Sequence, residues 1–165
     1  MQDRLEMDGY RPGALAAVVA LHIDDYAADW GVGLAFETKV AGELAAFLGR
    51  YDQTGDLFRC AYDREGRLLA SITIDGEAGG SDAGAHLRWF IVSPLLRGQG
   101  VGGRLIAEAL DFCRSCGYRR VYLTTFAGLD VARHLYESHG FHLVAENPED
   151  QWQGGVREQR FEPKL

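Results

Sequence analysis

The sequence predicts an α/β protein: a mixed β-sheet, partly antiparallel and partly parallel, with helices on both faces. Three observations carry this. The chain has 165 residues, 47% hydrophobic and 25% charged, which suits one globular domain spanning residues 1–165 with a sizeable core. Its apolar residues switch between helical and strand periods in the order β-α-α-β-β-β-α-β-α-β-β. Strands joined by short turns come first and crossover helices follow, an order that mixes antiparallel with parallel pairing.

Each element has its own warrant. Glu6–Arg11 reads as a short first strand. A helix follows Pro12, with Leu15, Val18, Val19, His22 and Tyr26 at helical spacing, until "GVG" at Gly31–Gly33 breaks it. A second helix carries Phe36, Val40, Leu44, Phe47 and Leu48 on one face and ends at "DQTGD". "LFRCAY" and "RLLASITID" flank "DREG", a hairpin signal. "AHLRWFIV" (Ala85–Val92) is a third long strand, and after Pro94 a glycine-rich loop opens a helix bearing Val101, Leu105, Ala109, Phe112 and Cys116. "RVYLTTF" is a strand, and "LDVARHLYESH" is a helix stopped by Gly140. "FHLVAEN" and "REQRFEP" make a final pair of strands, with "WQGG" as their turn.

Composition excludes several classes of function. The net charge of −7, from 17 basic and 24 acidic residues, leaves no footprint for a nucleic-acid backbone. "MQDRLEMDGY" is too polar for a signal peptide, and "ALAAVVAL" is far too short to span a bilayer. A cytoplasmic protein without membrane contact is expected. Cys60, Cys113 and Cys116 are too few for a disulfide framework. Cys113 and Cys116 lie at a helix end whose dipole opposes thiolate formation, and no second C-x-x-C completes a zinc site. They read as small hydrophobes, and no metal site is expected.

The stretch "LLRGQGVGGRL" (Leu95–Leu105) admits two readings. Gly98, Gly100 and Gly103 spell G-x-G-x-x-G, the dinucleotide fingerprint. That fingerprint should follow a strand at once and be answered by an acid at the end of the next strand. Here Ser93–Arg97 intervenes, "VYLTTF" ends without an acid, and too little chain remains for a second nucleotide-binding half. The other reading is R-x-x-G-x-G, from Arg97, Gly100 and Gly102. Glycines let the backbone approach a pyrophosphate, the helix starting near Val101 adds its positive end, and Arg97 adds a full charge. This loop suits an anionic pyrophosphate without a metal.

"RGQGVG", following "WFIVSP" and opening a helix, resembles the coenzyme A loop of the GCN5-related N-acetyltransferases. "ARHLYESHGF" (Ala132–Phe141) is similar to a later helix of the same family, whose tyrosine precedes a G-F pair. The likeness extends from Tyr10 over nearly the whole chain. More narrowly, "HLRWFIV", "TTFAGLD", "LYES" and "EQRFE" resemble the acetyltransferase half of proteins in which a MarR-type winged helix comes first. No winged helix is found here, so that likeness implies no DNA binding.

The resemblance implies an acetyl-CoA-dependent N-acetyltransferase fold and transfer of the acetyl group to a primary amine, small molecule or peptide, in a ternary complex. It implies that the strand before the loop splays from its neighbour. Main chain at Phe90, Ile91 and Val92 would then hold pantetheine and offer an N–H to a developing oxyanion. It implies that Arg97, Gly98, Gln99, Gly100, Val101, Gly102 and Gly103 cradle the pyrophosphate. Tyr136 falls at the general acid, and a phenol with an ordinary pKa of about 10 can protonate a departing thiolate. Many members carry Asn where this chain has Leu129. For the base that deprotonates the amine, Glu37 is the first choice, with His22, Glu43 and His86 open alternatives. Trp30, Phe36 and Trp152 would wall the acceptor site, and Asp24, Asp25 and Asp29 would draw in a cation. The family often pairs through its C-terminal strands, so a homodimer is expected. The second reading is a non-catalytic acyl-CoA-binding sensor or interaction module on the same fold. Leu129 motivates it and Tyr136 argues against it.

Overall fold

The structure is a computed structural model and describes residues 4–30, 33–76, 84–126, 130–147 and 158–163. Its elements are β1 (Glu6–Asp8), α1 (Ala14–Trp30), α2 (Leu34–Gly49), β2 (Leu57–Tyr62), β3 (Leu68–Asp75) and β4 (Ala85–Val92). A 3-10 turn (Pro94–Leu96) leads to α3 (Val101–Ser115), β5 (Val121–Phe126), α4 (Asp130–Ser138), β6 (Phe141–Asn147) and β7 (Glu158–Pro163). The order matches the expected α/β pattern. β1 stops at Asp8, short of Arg11, because the Asp8 carboxylate accepts from the Gly9 N–H at 2.7 Å and from Arg11 Nε at 3.0 Å. These local bonds turn the chain before the strand can lengthen.

The seven strands form one sheet in the order β1-β2-β3-β4-β5-β7-β6. Every pair is antiparallel except β4 with β5. α3 is the crossover that makes that one parallel pair possible. The β2–β3 hairpin closes on Asp63, which accepts from the Glu65 and Arg67 N–H groups at 3.0 and 2.8 Å.

Two apolar clusters cover opposite faces. On one, α1 and α2 lay Val18, Phe36, Val40, Leu44 and Phe47 over Phe58, Tyr62 and Trp89. On the other, α3 lays Val101, Leu105, Ile106 and Ala109 over Ile72, Ile74, Leu87 and Leu123. Both follow the helical spacing read from the sequence. Each fully buried leucine or isoleucine stabilises the fold by roughly 1.5–3 kcal/mol. Cys113 is buried beneath α3 and its thiol is pushed up to about 12 by that burial, while Cys116 sits at the helix C-cap. Among the described residues, no helix is long and apolar enough to cross a membrane.

Candidate active site

The site begins where β4 leaves β5. Their pairing consists of Ala85↔Val121, His86↔Tyr122 and Leu87↔Leu123. Beyond Leu123, β5 keeps its partner β7 as far as Phe126↔Glu158, but β4 no longer follows. Among the described residues, the edge of β4 facing β5 therefore has no strand partner from Arg88 to Val92, which leaves a gap.

A bulge aims this segment. Register with β3 passes from Thr73↔Arg88 to Ser71↔Ile91, so Trp89 and Phe90 together oppose one residue. Trp89 takes φ +45°, unusual for a bulky side chain. Several contacts hold it there. Ser71 Oγ donates to the Trp89 carbonyl at 2.9 Å. The indole lies 5.7 Å from the Phe47 ring, with the Arg88 guanidinium 4.1 Å above it. Strain of this kind persists only where its surroundings over-determine it. The extra residue shifts the alternation, so Phe90 and Val92 join the α3 face that Ala85 and Leu87 began.

The glycine loop follows at once. The Ser93 N–H donates to the Leu69 carbonyl at 2.7 Å, and Ser93 Oγ accepts from the Leu95 N–H at 3.2 Å. Buried Leu96 anchors the turn, and Arg97, Gly98, Gln99 and Gly100 are exposed. Gly100 takes φ +75° as the N-cap of α3. Among the described residues, no acceptor meets the N–H groups of Gly98, Gly100, Val101, Gly102 or Gly103. Unpaired amides at a helix N-terminus, with Arg97 beside them, suit an anion. A Cβ at Gly102 would lie 3.0 Å from Leu135 Cδ2 and 3.3 Å from Phe90 Cζ. Gly102 is thus where α3, α4 and the free end of β4 meet.

Tyr136 completes this group. It is buried on α4, its ring 5.9 Å from Phe90 and 5.9 Å from Phe141. The structure therefore brings Phe90, Val92, Gly102 and Tyr136 into one cluster, while Ile91 faces away from it. The other named residues stand apart. Phe36 is buried in the α1–α2 core. Glu37 is exposed in the first turn of α2. Trp30 ends α1, with its side chain outside what is described, and Trp152 and Leu129 lie outside the described residues altogether. Asp24 is exposed. His22 is buried, with Nδ1 2.8 Å from the Val18 carbonyl, and burial lowers its pKa. Burial, aided by Arg88, pushes His86 down to about 3. Glu43 is ion-paired to Arg88 and lies 3.6 Å from Lys39.

Sequence reasoning missed a polar group on the opposite face. Tyr122 of β5 lies between His86 of β4, stacked at 4.3 Å, and Arg160 of β7, whose Cζ is 4.0 Å from the ring centre. Nearby, fully buried Asp75 accepts from Arg50 Nη2 at 2.7 Å and from Arg88 Nη1 at 3.2 Å. The strand alternation around Phe161 carried the only signal, since it sets Arg160 on the other face.

Comparison with known proteins adds to this geometry. The model of the acetyltransferase (GNAT) family matches residues 15–141. An uncharacterized N-acetyltransferase of Schizosaccharomyces pombe is 27% identical over 119 residues, covering 72% of this chain and 71% of that protein. The crystal structure of a putative phosphinothricin N-acetyltransferase superposes with a TM-score of 0.75 at 21% identity, covering 98% of this chain and 99% of the other. A GCN5-related N-acetyltransferase from Kribbella flavida gives 0.74 at 20% identity, covering 98% of each chain. At these identities the solved structures speak for the fold alone.

Proposed function

The chain belongs to the acetyltransferase (GNAT) family and is an acetyltransferase, and from that premise we propose that it moves an acetyl group from acetyl-coenzyme A to a primary amine within a ternary complex. The single observation that carries the reading is the gap between β4 and β5, which opens beside unpaired loop amides and next to Tyr136. Bound acetyl-coenzyme A would supply the acyl group and a thiolate leaving group.

The chain's own residues then have separate tasks. Arg97 and the N–H groups from Gly98 to Gly103, with Gln99 and Val101 shaping the turn, hold the pyrophosphate. Main chain at Phe90, Ile91 and Val92 lines the gap and orients the thioester. Tyr136 holds at Oη the proton that neutralises the thiolate. His22 and His86 resist protonation and Glu43 is ion-paired, which favours Glu37 as the group that takes the amine proton. Trp30, Phe36 and Trp152 remain the proposed neighbours of the acceptor. Exposed Leu143 and Val144 on edge strand β6 support pairing of two copies through the C-terminal strands.

The test is thiol release from acetyl-coenzyme A across a panel of amines. Tyr136→Phe should lower kcat by about 100-fold or more, with the KM for acetyl-coenzyme A within about twofold of wild type. Unchanged kcat removes Tyr136 from the mechanism. Tight coenzyme A binding with no thiol release for any amine would favour a sensor instead.

A further inference from the structure

We propose that the acceptor amine also carries an acidic group, a carboxylate or phosphonate, and that Arg160 binds it. The inference rests on the acetyl-transfer reading and names the substrate class of that site.

Placement comes first. α3, its glycine loop and Tyr136 all lie on one face of the sheet. A second substrate has to reach the gap from elsewhere. On the opposite face α1 and α2 cover β2 to β4. Past β4, Thr124 is exposed and Tyr122 and Arg160 are part-exposed. Arg160 pairs in register with Thr124, one residue beyond the last β4–β5 pair. It therefore stands where the gap opens, on the accessible side.

Charge comes second. Arg88 is ion-paired through Nη1 with Asp75 and through Nη2 with Glu43. Arg160 is not held in this way. Its Nε lies 3.6 Å from Glu162 Oε2, beyond hydrogen-bond distance. That carboxylate is already taken by Arg120, through Nε at 3.0 Å and Nη2 at 2.9 and 3.0 Å. Among the described residues no acceptor lies within hydrogen-bond distance of the Arg160 guanidinium. Its guanidinium instead lies over the Tyr122 ring, with Cζ 4.0 Å from the centroid, a contact that orients the fork. A pre-oriented guanidinium with free donors matches an oxyanion in two-point contact. A polyamine would bring a second cation against Arg160, although the chain's net charge of −7 favours cations at long range. Locally the sign is reversed. His86, across the same ring, stays neutral and adds no charge of its own.

The experiment compares amino acids with their decarboxylated amines, such as phenylalanine with phenethylamine and leucine with isoamylamine, and adds aminoalkylphosphonates as a third arm. Thiol release is followed for wild type, Arg160→Gln and Arg160→Lys, with thermal unfolding as the check on folding. An acid-bearing arm should exceed the plain amines in kcat/KM by about 10- to 100-fold. The carboxylate and phosphonate arms distinguish which oxyanion is read. Arg160→Gln should erase the preference by raising the KM for the amine alone, and Arg160→Lys should restore part of it. Plain amines turned over as well as the acids overturn the proposal while acetyl transfer stands. So does a preference that survives Arg160→Gln, or coenzyme A binding with no turnover of any acid. Failure to bind coenzyme A overturns the underlying reading itself.

Discussion

Along β4, two neighbouring stretches of one strand are built differently. His86 and Leu87 have hydrogen-bonded neighbours on both sides, Asp75 and Ile74 of β3 and Tyr122 and Leu123 of β5. Gly84, just before them, approaches the residue that leads into β5 so closely that a Cβ would lie 2.3 Å from the Arg120 carbonyl. That same carbonyl accepts from the Ala85 N–H at 2.9 Å. From Arg88 onward the strand has a neighbour on one side only among the described residues, and it reaches that state through the bulge at Trp89. Gly100, beyond this free end, would meet nothing within 4 Å if it carried a Cβ. One end of β4 is sealed by the chain, and the other is the end at which we propose that a ligand binds. Stability and binding therefore rest on adjacent residues and are separable by mutation.

The largest effect is expected at the free end. Gly100→Val puts a β-branched residue at φ +75°, and its side chain into the space over the first turn of α3. Coenzyme A affinity, measured by calorimetry, should fall by about 100-fold or more as several charge-assisted contacts are lost together. Unfolding free energy should fall by only about 1–3 kcal/mol. Unchanged affinity would mean that the free end is not the binding end. At the sealed end the expectation reverses. Leu87→Ala removes a buried side chain between α3 and the sheet and should cost about 3 kcal/mol in a denaturant titration. The KM for acetyl-coenzyme A should stay within about twofold. A binding defect in Leu87→Ala as large as that of Gly100→Val would break the distinction.

The sequence carried the free end better than its mechanism of opening. Arg97, Gly100 and Gly102 sit within six consecutive residues, so their spacing is a local signal. The elements were legible for the same reason, as periods of 3.6 and 2. The bulge was not, because "WFIV" reads as an unbroken strand and its irregularity is set by pairing with Ser71 and Thr73 on β3. Phe36 is expected beside the acceptor from the resemblance alone. It shares a helical stripe with Val40, Leu44 and Phe47, and that stripe carries it into the core. The His86–Tyr122–Arg160 group comes from three strands far apart in sequence, and only the order β4-β5-β7 makes them neighbours.

The smallest effect sharpens what sealing means. His86 faces Arg88 on its own strand, Asp75 on β3, Tyr122 on β5 and Arg160 on β7. Burial and the two arginines outweigh Asp75, so the folded chain holds His86 neutral down to about pH 3. The unfolded chain takes up the proton below about pH 6.5. A depressed histidine pKa therefore contributes stability above pH 6.5 that is lost progressively as the pH falls toward 3. His22, also depressed by burial, acts in the same direction. Each histidine contributes at most about 1.4 kcal/mol per pH unit. Asp8 and Asp52 are held low by hydrogen bonds, from the Gly9 N–H and from Thr54, so their stabilisation is lost only below about pH 5, where unfolded carboxylates begin to bind protons. Between about pH 6.5 and 5 the slope of unfolding free energy thus reports the histidines. His86→Gln should flatten that slope and leave the share due to His22. An identical slope in the variant would mean that water and protons reach His86 freely. The paired end of β4 would then be closed by hydrogen bonds alone, without the dry packing that separates it from the open end.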